Sequence, residues 1–133
     1  MKDFDFLGDD RLVDALLMEV AVLLQNLVSH QRPGTIDLLG LPLSGACLAA
    51  LEQCLGDGEI SALLSVSGES QIRETSFPGV WWTRHTDETG RVIALMIEVA
   101  AVPEILRADP SDMEQGLRRI REVSNFRRAL PAR

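Results

Sequence analysis

Apolar residues between Leu12 and Leu24 do not keep to one stripe. Leu12, Val13, Ala15 to Met18 and Val20 to Leu24 are all apolar. A helix over residues 10–29 therefore carries apolar side chains nearly all round, whereas an ordinary surface helix has a single apolar face. Asp9 or Asp10 stands where a cap belongs. Such a helix needs cover on most sides, from its own fold, from a copy of itself or from a partner. Ahead of it, Phe4, Phe6 and Leu7 alternate with acids, and residues 1–9 read as a loose acidic arm. Arg32-Pro33-Gly34 ends the helix and turns the chain.

The pattern then shortens. Thr35 to Leu38 alternates polar and apolar positions and predicts a short strand. Pro42 and Ser44 precede a second helix over about Ser44 to Leu55, with Cys47, Leu48, Leu51, Cys54 and Leu55 as its stripe and Gly56 as its C-terminal cap. Gly56-Asp57-Gly58 is a tight turn. Ile60 to Val66 and Gln71 to Ser76 have strand composition, the second interrupted by Pro78-Gly79. Val80 to His85 and Val92 to Val99 flank a five-residue loop ending in Gly90, a hairpin signal. Both faces of Val92–Val99 are largely apolar, which predicts a strand inside the sheet or covered on both sides. Glu104 to Arg107 reads as a helical turn. Ser111 and Glu114 are spaced as a capping box for a last helix with Met113, Leu117, Ile120 and Val123 at helical spacing. Arg118, Arg119 and Arg121 belong to its solvated side. The order helix-strand-helix-strand-strand-strand-helix predicts an α+β fold, with a mostly antiparallel sheet of three to four strands covered by about three helices.

Composition narrows the classes. The 133 residues suit one core, so a single domain over 1–133 is expected, with a frayed basic tail over 124–133. Twenty acidic against 13 basic side chains give a net charge of −7; such a surface repels phosphate backbones and argues against a nucleic-acid partner. The charge is uneven. The last 30 residues hold seven arginines against five acids, a balance of +2, so the preceding 103 carry −9. The acidic start has no basic region before an apolar run, which is not the pattern of a secretory leader. Asp14, Glu19, Gln25 and Asn26 interrupt the longest apolar stretch and argue against a membrane span. With two cysteines, these features point to a reducing, cytoplasmic setting.

Catalytic chemistry finds little support. Cys47 and Cys54 share a helix face but lie about 10 Å apart along its axis, too far for a disulfide and wrong for a close metal pair. They read as core thiols. His30 and His85 are isolated in sequence. There is no G-x-S-x-G elbow, and Gly56-Asp57-Gly58-Glu59 lacks the lysine of a phosphate loop. The only lysine is Lys2. The residues thus predict no catalytic set, no metal site and no cofactor. A Cys/His metal or redox carrier is the weaker alternative.

The most distinctive segment runs from Ile72 to Trp82. It holds both tryptophans of a chain without tyrosine, beside a Pro-Gly break. Aromatic area next to a broken strand is a common binding surface. In a regular strand Trp81 and Trp82 point to opposite faces, so one can join the core while the other stays available; the plainer alternative is that both are covered. The candidate partner-binding set is Gly58, Glu59, Glu74, Thr75, Phe77, Pro78, Gly79, Val80, Trp81 and Trp82. Glu74 would accept hydrogen bonds from a partner, and an open strand edge would add a partner peptide.

The same segment carries a family resemblance. Gly56-x-Gly58-Glu59 followed by Ile72-x-Glu74-Thr75-x-Phe77-Pro78-Gly79-Val80-Trp81 resembles the conserved C-terminal region of hydrogenase expression/formation proteins of the HupH/HyaF type. Ile36-Asp37-Leu38 through Leu41-Pro42-Leu43, and Ile97-Glu98-Val99 through Val102-Pro103, fit its flanks, so the likeness spans about residues 35–105. Longer members have substantial sequence ahead of this region; this chain looks like a single-domain version or one domain of such a protein. The resemblance implies a non-enzymatic assembly chaperone in nickel–iron uptake hydrogenase maturation. Its implied partner is a hydrogenase subunit precursor, the iron–sulfur small subunit before twin-arginine export, together with other maturation chaperones. The acidic surface would suit the arginines of such a leader. The competing reading is a homo-oligomeric structural or interaction domain, a homodimer built on helix 10–29.

Overall fold

The computed structural model describes the backbone of residues 2–65 and 67–131, and the side chains from residue 10 onward within those ranges. The chain divides into two compact units, residues 1–103 and residues 104–133.

The first unit opens with helix α1, Lys2–His30, followed by β1, Gly34–Asp37, and α2, Gly45–Leu55. Four strands complete it: β2, Ser61–Leu64; β3, Glu69–Glu74; β4, Val80–Thr86; and β5, Val92–Val99. They form one five-stranded sheet in the order β1-β5-β4-β3-β2, with every neighbouring pair antiparallel. The sheet therefore exceeds the expected three to four strands. All five strand runs read from the sequence join it; β1 and β2, four residues each, lie at the edges, where one neighbour suffices to hold a short strand. Strand β5 lies between β1 and β4, as its two apolar faces predicted. Val66, which was read into β2, lies outside the described residues.

The core sits between one sheet face and the two helices. Ile36, Ile97 and Trp82 stand opposite one another across β1, β5 and β4. With Val80 and Val99 they meet Val13, Leu16 and Val20 of α1 and Cys47, Leu51 and Leu55 of α2. Ser44 caps α2, its hydroxyl accepting from the amide of Cys47 at 3.0 Å. At the other end Gly56 has φ +66°, a conformation that favours glycine.

Helix α1 departs from expectation at both levels. It begins at Lys2, so the backbone over 2–9 continues the helix where a loose arm was expected; a run of charged and apolar residues without proline gives it nothing to stop at. Its own fold covers only one stripe. Val13, Leu16 and Val20 are buried, while Met18, Val22 and Val28 are 67%, 57% and 73% exposed. Residues Asp10–His30 are long and apolar enough to cross a membrane by length and composition alone.

The second unit holds a 3₁₀ turn, Glu104–Leu106, and helix α3, Pro110–Ala129. The expected capping box is absent. Asp109 is the N-cap, Pro110 occupies the first helical turn and the Asp109 side chain makes no capping hydrogen bond. Proline's fixed φ starts the helix ahead of Ser111, whose hydroxyl donates to the Asp109 carboxylate instead. The helix continues through 124–129, where a frayed tail was expected, and buries none of its residues.

Candidate functional site

The Glu74-to-Trp82 segment folds into the connection between β3 and β4. Phe77-Pro78-Gly79-Val80 closes as a turn, the amide of Val80 donating to the Phe77 carbonyl at 3.0 Å. Gly79 takes φ +89°, as the third position of such a turn requires. Thr75 locks it from inside. Its amide and hydroxyl both donate to the Val80 carbonyl, at 3.0 and 2.8 Å, and its Oγ1 accepts from the amide of Phe77 at 3.2 Å. Thr75 is 1% exposed.

The connection also seals the end of α2. Ser76 donates to the Leu55 carbonyl through its amide and its hydroxyl, satisfying a helix-end acceptor that would otherwise lack a partner. Arg73 pairs with Glu52 at 3.1 Å and with Asp57, and donates to the Gly56 carbonyl at 3.4 Å. Glu74 stitches in the glycine turn. Its carbonyl accepts from Gly58, its amide donates to Ile60 and its carboxylate accepts from the Glu59 amide at 3.4 Å. The two halves of the motif therefore meet. Glu74 serves this internal joint, where a partner-facing acceptor was expected.

Both tryptophans are covered, the plainer of the two expectations for them. Trp81 and Trp82 are 4% and 6% exposed. They do point to opposite faces. Trp82 belongs to the helix-side core, while Trp81 donates from Nε1 to the Ala100 carbonyl at 3.0 Å on the other side. Both faces are covered at this point, so neither ring stands free. Thr75 and Val80 are buried as well. Of the predicted partner set, Gly58, Glu59, Phe77 and Pro78 are exposed, and Glu74 and Gly79 half-buried.

A feature that sequence reasoning missed lies beside this joint. A cleft of about 950 Å³ opens between α2 and the helix-side face of the sheet. Leu48, Trp82 and Leu95 give it an apolar floor, and Arg73 and Arg84 line it from the strands. Arg73 is occupied by Glu52 and Asp57, whereas Arg84 has no ion pair among the described residues. The cleft needs α2 laid over β3, β4 and β5, a juxtaposition no local spacing encodes.

Titratable groups elsewhere serve local structure. Cys47 is buried and Cys54 exposed. His85 Nδ1 lies 2.5 Å from the Ser70 hydroxyl, a cross-strand pair on the face away from α2. Asp87 is held below the usual aspartate range, first by the Thr89 hydroxyl and then by the backbone amide of Arg91. That arrangement closes the β4–β5 hairpin. Among the described residues no three His, Cys, Asp or Glu side chains are grouped to hold a metal ion.

Comparison with known proteins agrees with the motif. The family model described as HupH hydrogenase expression protein, C-terminal conserved region, matches residues 13–126. The Hydrogenase-1 operon protein HyaF of Escherichia coli (strain K12) is 32% identical over 115 residues, covering 83% of this chain and 40% of that protein. The hydrogenase expression/formation protein HupQ of Azotobacter chroococcum is 32% identical over 91 residues, covering 68% of this chain and 32% of that one. The chain thus spans a third to two-fifths of these relatives' length. The solved structure of the hydrogenase expression protein HupH from Thiobacillus denitrificans superposes with a TM-score of 0.79 at 38% identity, covering 88% of this chain and 94% of that one. The chain belongs to the HupH/HyaF-type hydrogenase expression/formation proteins.

Proposed function

We propose that the protein is an assembly chaperone of nickel–iron hydrogenase maturation that holds a hydrogenase subunit precursor, the iron–sulfur small subunit, in the cytoplasm before export. The family match across residues 13–126 carries this reading. The cleft between α2 and the sheet supplies a place for a client, with an apolar floor at Leu48, Trp82 and Leu95 and charge at its rim. Clefts of this mixed character suit a protein segment held by apolar contact and oriented by a few polar ones. The test is a pull-down from hydrogenase-expressing cytosol with the tagged protein at low and moderate salt. Enrichment of the unexported small subunit over an acidic control protein supports the reading. The large subunit alone moves the client, and no hydrogenase component removes the chaperone role.

A second reading rests on a separate observation. The exposed Met18, Val22 and Val28 of α1 form a face that a second copy would cover, giving a homodimer through helix 10–29. Met18→Glu would split that dimer in sedimentation, and a monomeric wild type rejects it.

A further inference from the structure

The cleft has an unused charge. Arg84 is exposed on β4 and lines the cleft two residues along from Trp82, on the same face. Its register partner on β3 is Gln71, an uncharged side chain. Arg73, the other guanidinium lining the cleft, is spent on Glu52, Asp57 and the Gly56 carbonyl. An exposed guanidinium with no ion pair among the described residues thus borders the apolar floor. It stands out because residues 1–103 carry a net −9.

We infer that the cleft takes a client segment that pairs an apolar side chain with a carboxylate, and that Arg84 is the residue that selects it. The inference rests on the chaperone reading and deepens it. The apolar side chain lies on Leu48, Trp82 and Leu95, and the carboxylate meets the Arg84 guanidinium, which presents a fork of donors matched to two carboxylate oxygens. A basic leader does not satisfy this site, because it would bring arginines to Arg84 while the lining acids Glu52 and Asp57 are already paired with Arg73. The segment held in the cleft thus belongs to the folded or folding body of the precursor, and attraction between the acidic surface and a basic leader acts only at longer range.

The test uses the purified small-subunit precursor with and without its leader, against wild type, Arg84→Glu and Arg84→Lys, by titration calorimetry. Arg84 is exposed and without an ion pair, so neither variant should alter the melting curve. Wild type is expected to bind both client forms within about twofold of each other, Arg84→Glu to lose about tenfold or more, and Arg84→Lys to lose less. Arg84→Glu binding as wild type does, or binding that vanishes with the leader, overturns the assignment and leaves the chaperone reading standing. A wild type that binds neither form removes both.

Discussion

The carbonyl of Leu55, the last residue of α2, accepts two hydrogen bonds from Ser76, one from its amide at 2.9 Å and one from its hydroxyl at 2.7 Å. Twenty-one residues separate the two in sequence. This contact closes the helix with the turn that follows β3 and sets where the cleft begins. Ser76→Ala keeps the amide bond and removes the hydroxyl. Because Ser76 is exposed, water replaces part of what is lost. The variant is expected to lose about 0.5–1 kcal/mol, read by urea unfolding at unchanged slope.

The glycine turn is constrained by space. A Cβ on Gly58 would stand 2.5 Å from the Thr75 carbonyl and 2.6 Å from the Glu74 carboxylate. The first neighbour is backbone and cannot swing aside. Gly58→Ala should therefore push the turn off β3, weaken the Gly58–Glu74 bond and cost about 1–3 kcal/mol. Gly45→Ala is the control. Nothing lies within 4 Å of its would-be Cβ, and alanine favours the helix by about 0.5–1 kcal/mol, so that variant should be neutral or more stable. Equal losses from both would show that the crowding at Gly58 is not what holds the joint.

The hairpin loop gives a pH prediction. Asp87 Oδ1 accepts from the Thr89 amide and hydroxyl and from the Arg91 amide, at 2.9, 2.6 and 3.0 Å. These donors favour the ionised carboxyl and hold its pKa below the ordinary 3.8. A depressed folded-state value means the stabilisation is fully present above the unfolded value and is lost as pH falls through the folded one. The stability gap between wild type and Asp87→Ala should hold steady above pH 3.8 and close at lower pH. A gap that widens on acidification would reverse the sign and remove this account of the loop.

The parts legible in the sequence were those written locally. Ser44 ahead of Cys47 announced the start of α2, and Gly90 closed the hairpin between β4 and β5. The Glu74-Thr75-x-Phe77-Pro78-Gly79-Val80-Trp81 string carried the family. What that string does was not legible, because its partners lie elsewhere. Arg73 reaches Glu52 and Asp57, and Ser76 reaches Leu55, all across 16 residues or more. A side chain that looks available in a motif is then consumed by the fold. Trp81 and Trp82 show the same limit. Alternation correctly sends them to opposite faces, but only the tertiary structure shows that both faces are covered there. Arg84 sits in an unremarkable Thr-Arg-His run and gains its interest only when α2 builds a cleft above it.

Helix α1 offers the sharpest separation between what the fold buries and what it leaves exposed. Leu16 and Met18 are two residues apart and both apolar, and sequence pattern does not distinguish them. Leu16 is 3% exposed within the core, and Met18 is 67% exposed. Truncating Leu16 to alanine removes buried methyl groups and leaves a cavity among Val13, Val20 and the β5 side chains, a cost of about 2–5 kcal/mol. Truncating Met18 should change the stability of the isolated chain by no more than about 0.5 kcal/mol. Unfolding curves at two protein concentrations complete the test. If Met18→Ala destabilises strongly and the wild-type midpoint rises with concentration, the exposed face is covered by a second copy in solution. If Met18→Ala is silent and the midpoint is independent of concentration, the face is open, and the apolar excess of α1 is available to something other than another copy of this chain.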